Sequence, residues 1–172
     1  DELDRHSIGT IGVHGDADDV CRALVDALHD NASRADRTGD VAQLRDRYRA
    51  EIAHLQPQLD YLAAIRDVLP DDGVFVEDVT QIGFAAHLAF DFRAPRTFLS
   101  SGPAGTLGAA YAQGVGAQVA LDAEGRGRRA LVVAGDGGFL FTGNELATAV
   151  QHDNQLVCCV FDDGAYGNVK RI

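Results

Sequence analysis

The run Arg-Ala-Leu-Val-Val-Ala-Gly-Asp-Gly-Gly, residues 129–138, sets the tightest limit on the fold. Its apolar, β-branched middle reads as a strand buried on both faces, ending at Gly135. Such strands belong to parallel sheets covered by helices. The theme recurs. GVFVEDV (73–79) is an apolar strand that ends in acidic and polar residues, and QLVCCVFDDG (155–164) is another. Helical patterns lie between them. LDYLAAIRDVLP (59–70) is amphipathic and stopped by Pro70. The segment 100–121 begins as a Gly-rich loop and continues as a small-residue helix, and NELATAVQHD (144–153) is a further helix. Alternating strands and helices imply right-handed crossovers and an α/β fold, a parallel sheet with helices on both faces. Ligands of such sheets bind beyond the carboxyl ends of the strands. Asp78–Gln81, Asp136–Gly138 and Asp162–Gly167 all fall at predicted ends of that kind.

Upstream of residue 57 the character differs. Residues 10–16, TIGVHGD, read as a short strand and turn. DADDVCRALVDALHD follows, with Val20, Leu24, Ala27 and Leu28 on one helical face and acidic residues in its first turn. Residues 30–40 are polar and aperiodic, a linker. VAQLRDRYRAEIAHL (41–55) is a charged helix. The expected division is 1–33, then a linker and helix over 34–56, then a domain over 57–172.

The net charge of -11 argues against nucleic acid or an anionic membrane as the main partner. No stretch of 18 apolar residues is present, so no membrane span is expected. The three cysteines form neither a disulfide framework nor a metal-spaced set. Cys158 and Cys159 read as small buried hydrophobes. With a charged N-terminus, DELDRHSIG, that lacks a signal-peptide core, this points to a reducing, cytoplasmic setting.

What could two acidic, Gly-rich turns hold? Glycines let backbone N–H groups approach an anion closely, and phosphate is the usual guest. A carboxylate beside phosphate is repulsive unless a divalent cation lies between. Magnesium takes oxygen ligands and is commonly shared between one or two carboxylates and phosphate oxygens. Asp136 in the first turn, with Asp162 and Asp163 in the second, fit a magnesium-bridged diphosphate. Asp and Gly are equally the ordinary residues of turns. Taken singly, either turn reads that way, and only their joint placement on one sheet edge favours a site.

The order GDGG…NELATAV…VFDDGAYGNV resembles the cofactor signature of thiamine-diphosphate-dependent enzymes, in the branch containing acetolactate synthase and benzoylformate decarboxylase. That signature is Gly-Asp-Gly followed by Asn-Asn; here 27 positions separate Asp136 from Asp163. SSGPAGTLGAAYAQGVGAQVAL and VLPDDGVFVEDVTQ resemble the preceding parts of the same domain, so the likeness covers residues 57–172. It implies thiamine diphosphate and Mg2+ as cofactors. Asp136 and Asp163 would be side-chain metal ligands, with Ala165 giving its backbone carbonyl. Gly137 and Gly138 would offer N–H groups to the diphosphate, Tyr166 and Gly167 would line its other side, and Thr80 and Gln81 would meet it from the first strand end. Leu107 would prop the cofactor in its bent form, and the Gly105 carbonyl would accept from its aminopyrimidine. Asp162-Asp163 stands in place of Asn-Asn, and Thr80 in place of a common Gly. The resemblance implies a lyase or carboligase acting on a 2-oxo acid. It also implies an activating glutamate on a separate pyrimidine-binding domain, from the rest of a longer chain or from another subunit, in a homodimer or homotetramer. Residues 1–33 resemble the tail of a central α/β domain. The alternatives are a non-catalytic cofactor-binding module and one half of a split 2-oxo-acid decarboxylase.

Other polar residues have simpler expectations. His87 is a helix-surface or core histidine, His152 belongs to a turn and His14 has no chemistry. Glu145 serves a helix start, and Arg126, Arg128 and Arg129 form a solvated loop beside Asp122 and Glu124.

Overall fold

Strand formation follows the apolar runs. A computed structural model describes residues 11–29 and 36–170, with only the backbone of Asn168. Four strands, β1 (Val74–Glu77), β2 (Phe98–Leu99), β3 (Ala130–Gly135) and β4 (Val157–Phe161), form one sheet in the order β2-β1-β3-β4, and every neighbouring pair is parallel. The eight α-helices among the described residues are α1 (Ala17–His29), α2 (Thr38–Ile52), α3 (Gln58–Val68), α4 (Gln81–Ala89), α5 (Ala109–Glu124), α6 (Asp136–Thr142), α7 (Leu146–Gln151) and α8 (Gly167–Lys170).

Alternation along the strands builds a core on each side of the sheet. Phe75, Leu131 and Val133 pack with Leu62 and Ile65 of α3 and with Ile82, Ala85 and Ala86 of α4. Val74, Val76, Ala130, Val132 and Ala134 face the other way, against Ala110 and Leu121 of α5. The expected sheet with helices on both faces is present. Gln118, fully buried on α5, ties that helix to the sheet: its Oε1 accepts from the Ala130 N–H at 2.8 Å, and its Nε2 donates to Asp122.

The chain divides into two units, the second beginning at Tyr48, inside α2. In the first, α1 opens with the Asp16 carboxylate accepting from the Asp18 N–H at 2.9 Å. None of its residues is buried, and Leu24 and Leu28 of the expected apolar face are exposed. The strand expected over 10–16 is absent from its described part: residues 11–16 are irregular, with no strand partner among the described residues. Thr10 and residues 30–35 of the expected linker lie outside the described residues.

Four elements escape the sequence patterns: α4, β2, α6 and α8. β2 is only two residues at the sheet edge, too short to show a period. α6 begins inside the Gly-Asp-Gly-Gly turn, where two glycines weaken any helical signal. Arg128 also departs from expectation. It is largely buried, donates to the Asp72 carbonyl at 2.6 and 2.9 Å and pairs with Glu124 at 3.1 Å, so it pins one loop to another.

Candidate cofactor site

Sheet register assembles the site. Gly135 of β3 lies opposite Phe161 of β4, and Glu77 of β1 opposite Val133 of β3. Each of these three strands is followed at once by an aspartate, Asp78, Asp136 and Asp162, along one carboxyl edge. A cavity of about 540 Å³ opens there. All the residues expected from the sequence line it: Thr80, Gln81, Gly105, Leu107, Asp136, Gly137, Gly138, Asp163, Ala165, Tyr166 and Gly167.

The first strand end is shaped by capping. Thr80 Oγ1 accepts from the Gly83 N–H at 2.8 Å, so a threonine here starts α4 in a way glycine could not. Gln81 then opens the helix at the cavity wall. Gly105 takes φ +56°, and a Cβ built on it would meet nothing within 4 Å, so its backbone faces open space.

The Gly-Asp-Gly-Gly turn is glycine-rich because its neighbours sit close. A Cβ on Gly137 would lie 2.5 Å from the Tyr166 ring, and one on Gly138 would lie 2.7 Å from Asp78 Oδ2 and 3.4 Å from Leu107 Cδ1. Leu107 and Tyr166 therefore flank the turn from two sides. No side chain caps the start of α6, which leaves its first N–H groups without a side-chain acceptor. The Asp136 carboxylate has neither hydrogen bond nor ion pair among the described residues.

In the second turn, Asp162 Oδ1 accepts from the Gly164 N–H at 2.8 Å, and Asp163 Oδ1 from the Ala165 N–H at 3.2 Å. Both roles need only an acceptor, which aspartate supplies. A Cβ on Gly167 would run into Asp163 Oδ2. The Ala165 carbonyl accepts from the Gly167 N–H at 2.9 Å and keeps a second lone pair.

The remaining wall was not legible as site residues. Gln58 and Tyr61 come from α3, Ile82 from α4, and Phe161 and Val169 from either side of the second turn. Tyr61 and Phe161 pack ring to ring at 5.4 Å. The spacing of Gln58 and Tyr61 puts both on one helical face, the only signal the sequence offered. Asp78 lines no part of the cavity but lies directly behind it. It is 1% exposed, and its carboxylate accepts from the Gly108 and Val79 N–H groups.

Nearby, burial pushes the Cys158 thiol up to about 12, with Cys159 and Asp78 adding to the effect. Cys159 is raised by burial as well. Such thiols are inert. His87 sits on α4 with Nε2 2.9 Å from buried Glu77, outside the cavity wall. His152 closes α7, and Glu145 accepts from Thr148 Oγ1 at 2.7 Å at that helix's start.

Is the cavity suited to a metal-bound diphosphate? Among the described residues, three carboxylates line it, Asp136, Asp162 and Asp163, and no Lys, Arg or His does. Among the described residues, no group of three or more His, Cys, Asp or Glu side chains is placed to hold a metal ion by itself, so a cation here would need ligands beyond the side chains. Two carboxylates with room for further oxygen ligands is the arrangement magnesium favours beside phosphate. The apolar walls, Leu107, Ile82 and Phe161, suit an organic ring beyond it. The donor set fits thiamine diphosphate with a divalent cation.

Residues 78–172 match the family model described as "Thiamine pyrophosphate enzyme, C-terminal TPP binding domain". The chain belongs to this family. The matched residues run from the carboxyl end of β1 onward and hold every cavity-lining residue except Gln58 and Tyr61 of α3. The chain is 37% identical over 166 residues to the Pseudomonas aeruginosa protein named "Probable 2-ketoarginine decarboxylase AruI", covering 93% of this chain and 28% of that one. It is 27% identical over 178 residues to acetolactate synthase isozyme 1 large subunit of Escherichia coli, covering 99% of this chain and 31% of the relative. The chain therefore spans about a third or less of the length of these relatives. In fold it is similar to a solved thiamine diphosphate-dependent 4-hydroxybenzoylformate decarboxylase of Rhodococcus jostii, with a TM-score of 0.59 and 24% identity over 66% of this chain and 21% of that one. Among the described residues, no helix is long and apolar enough to cross a membrane.

Proposed function

We propose that this chain forms the diphosphate- and magnesium-binding half of the active site in a thiamine-diphosphate-dependent lyase or carboligase acting on a 2-oxo acid. The observation that carries the reading is the charge of the cavity: among the described residues, three carboxylates and no cationic side chain line it. A diphosphate set directly against those carboxylates would be repelled, whereas a divalent cation between them turns repulsion into attraction.

The residues then take separate tasks. Asp136, whose carboxylate has no partner among the described residues, is the first cation ligand. Asp163 keeps Oδ2 for the cation while Oδ1 holds the Ala165 N–H, and the Ala165 carbonyl is a third ligand. Gly137 and Gly138 present N–H groups to the diphosphate at the open start of α6. Tyr166 and Gly167 close its other side, and Thr80 and Gln81 meet it from β1. Leu107 supports the bent cofactor, and the Gly105 carbonyl accepts from its amino group. Thiamine diphosphate, when bound, supplies the electron sink that lets a bond beside a 2-oxo acid's carbonyl break or form. The protein's own work is to hold, bend and shelter that group from water.

A pyrimidine-binding domain, from the rest of a longer chain or from a second subunit, completes the site in a homodimer or homotetramer. Residues 1–33 are the end of a central domain. The names of the relatives, decarboxylases and acetolactate synthases, support a 2-oxo acid as substrate. The test is carbon dioxide release by the intact protein from pyruvate, benzoylformate and 2-ketoarginine, with thiamine diphosphate and Mg2+. Release from one of them that stops on chelation is expected. Cofactor binding without turnover of any would favour a non-catalytic module or a split half, and absence of cofactor binding would overturn the reading.

A further inference from the structure

Three adjacent strands end in aspartate, and only two of those carboxylates reach the cavity. The third, Asp78, is 1% exposed and is paired with no cationic side chain among the described residues. Burying a carboxylate in that state is costly, so its hydrogen bonds must justify it. Oδ1 accepts from the Val79 N–H at 2.8 Å and the Gly108 N–H at 2.9 Å, and Oδ2 stands 3.1 Å from the same Gly108 nitrogen. Gly108 is held from its other side as well, because Thr142 Oγ1 donates to its carbonyl at 2.7 Å. Its φ is +84°, and a Cβ there would lie 2.5 Å from Phe141 Cβ and 2.7 Å from the Gly138 carbonyl. Asp78 also presses Oδ2 against Gly138, as the 2.7 Å clearance for a Cβ records.

The carboxylate therefore touches three segments at once: the end of β1, the turn carrying Gly105 and Leu107, and the start of α6. Gly108 is the residue directly after Leu107. Fixing its N–H fixes where Leu107 stands relative to Gly138. We propose that Asp78 is a positioning residue that clamps the Gly105–Gly108 turn and so sets Leu107 at its distance from the diphosphate turn. This rests on the thiamine diphosphate reading for its purpose, though the clamp itself does not. Asp78 touches no cofactor atom in this role. It acts through Leu107.

Two measurements on the intact protein test it. The first is amide hydrogen exchange without cofactor. In Asp78→Ala, the Gly108 amide should exchange about 10-fold faster or more, as expected for a lost buried acceptor, while Val132 in β3 keeps its protection. Asp78→Asn retains Oδ1 and should show a smaller change, which keeps the test usable if the alanine variant does not fold. Protection of Gly108 unchanged in both variants would overturn the clamp, whatever the protein binds. The second compares affinities, each with Mg2+, for thiamine diphosphate and for inorganic pyrophosphate. Asp78→Ala should weaken the former about 10-fold and the latter by less than about 2-fold. Leu107→Ala added to Asp78→Ala should then cost little more. Equal losses for both ligands, or additive losses for Asp78 and Leu107, would overturn action through Leu107. A wild-type protein that binds neither ligand would count against the cofactor reading and leave the exchange result to decide the clamp.

Discussion

Where β1 and β3 begin, Arg128 spreads its guanidinium over the Asp72 carbonyl and the Glu124 carboxylate, and Arg126 donates to the same Glu124 at 2.7 Å. Where the two strands finish, the Asp136 side chain has no partner among the described residues, and no described residue of the cavity wall is a cation that could offer one. One end of the sheet neutralises its charges within the chain, and those bonds close loops onto one another. The other end leaves negative charge unmatched around an open space. A protein gains no stability from unmatched carboxylates, so the asymmetry separates an end that holds the fold from an end that waits for a ligand.

The sharpest way to break that contrast is to empty the ligand end. Asp136→Ala should weaken magnesium-dependent binding of thiamine diphosphate about 100-fold or more, the scale of a lost contact to a charged group. Its unfolding free energy should stay at or above wild type, because no described residue is bonded to the Asp136 side chain. Loss of stability without loss of binding would reverse the roles of the two ends.

The converse change sits at the other end. Arg128→Ala should lower the unfolding free energy by about 1–3 kcal/mol, since it strips the Asp72 carbonyl and Glu124 of a largely buried donor. Denaturant unfolding reads this directly, and cofactor affinity should not move.

Much of this contrast could be read from the residues. β3 and β4 are legible because β-branched runs stop at Gly-Asp and Asp-Asp, and a sheet of parallel strands brings those stops to one edge. That edge favours a site at the acids and glycines of the two turns, and the likeness to thiamine-diphosphate enzymes gives them their roles and adds Gly105 and Leu107. Asp78 was not legible as a clamp, since its partner Gly108 lies thirty residues away and nothing local marks the contact. Tyr61 was hidden for the same reason: an aromatic on an amphipathic helix reads as core until the fold sets it against Phe161. Arg128 looked like one member of a solvated run because sequence cannot show that its guanidinium folds back onto Asp72.

The thiols sharpen the comparison from within the sheet. Cys158 is raised from 9.0 to about 12 by burial, so the folded state disfavours its thiolate. Its contribution to stability is present below pH 9 and is lost as pH climbs through the folded value. Iodoacetamide at pH 8 should label exposed Cys21 readily and Cys158 barely, with Cys158 labelling growing only at alkaline pH. Rapid labelling of Cys158 at neutral pH would mean that β4 opens.

The smallest effect concerns the departure from the family pattern. Asp163→Asn keeps an oxygen for the cation and one for the Ala165 N–H only by sharing Oδ1, so magnesium-dependent affinity should change by less than about 10-fold. Asp163→Ala should lose more. Calorimetry on the pair of variants gives the ranking.

The most direct measurement is calorimetric titration of the intact protein with thiamine diphosphate, once with Mg2+ and once with the metal chelated. Three unmatched carboxylates around the diphosphate predict binding with Mg2+ and at least about 100-fold weaker binding without it. Equal affinity in both conditions would show that no cation bridges Asp136 and Asp163 to the ligand.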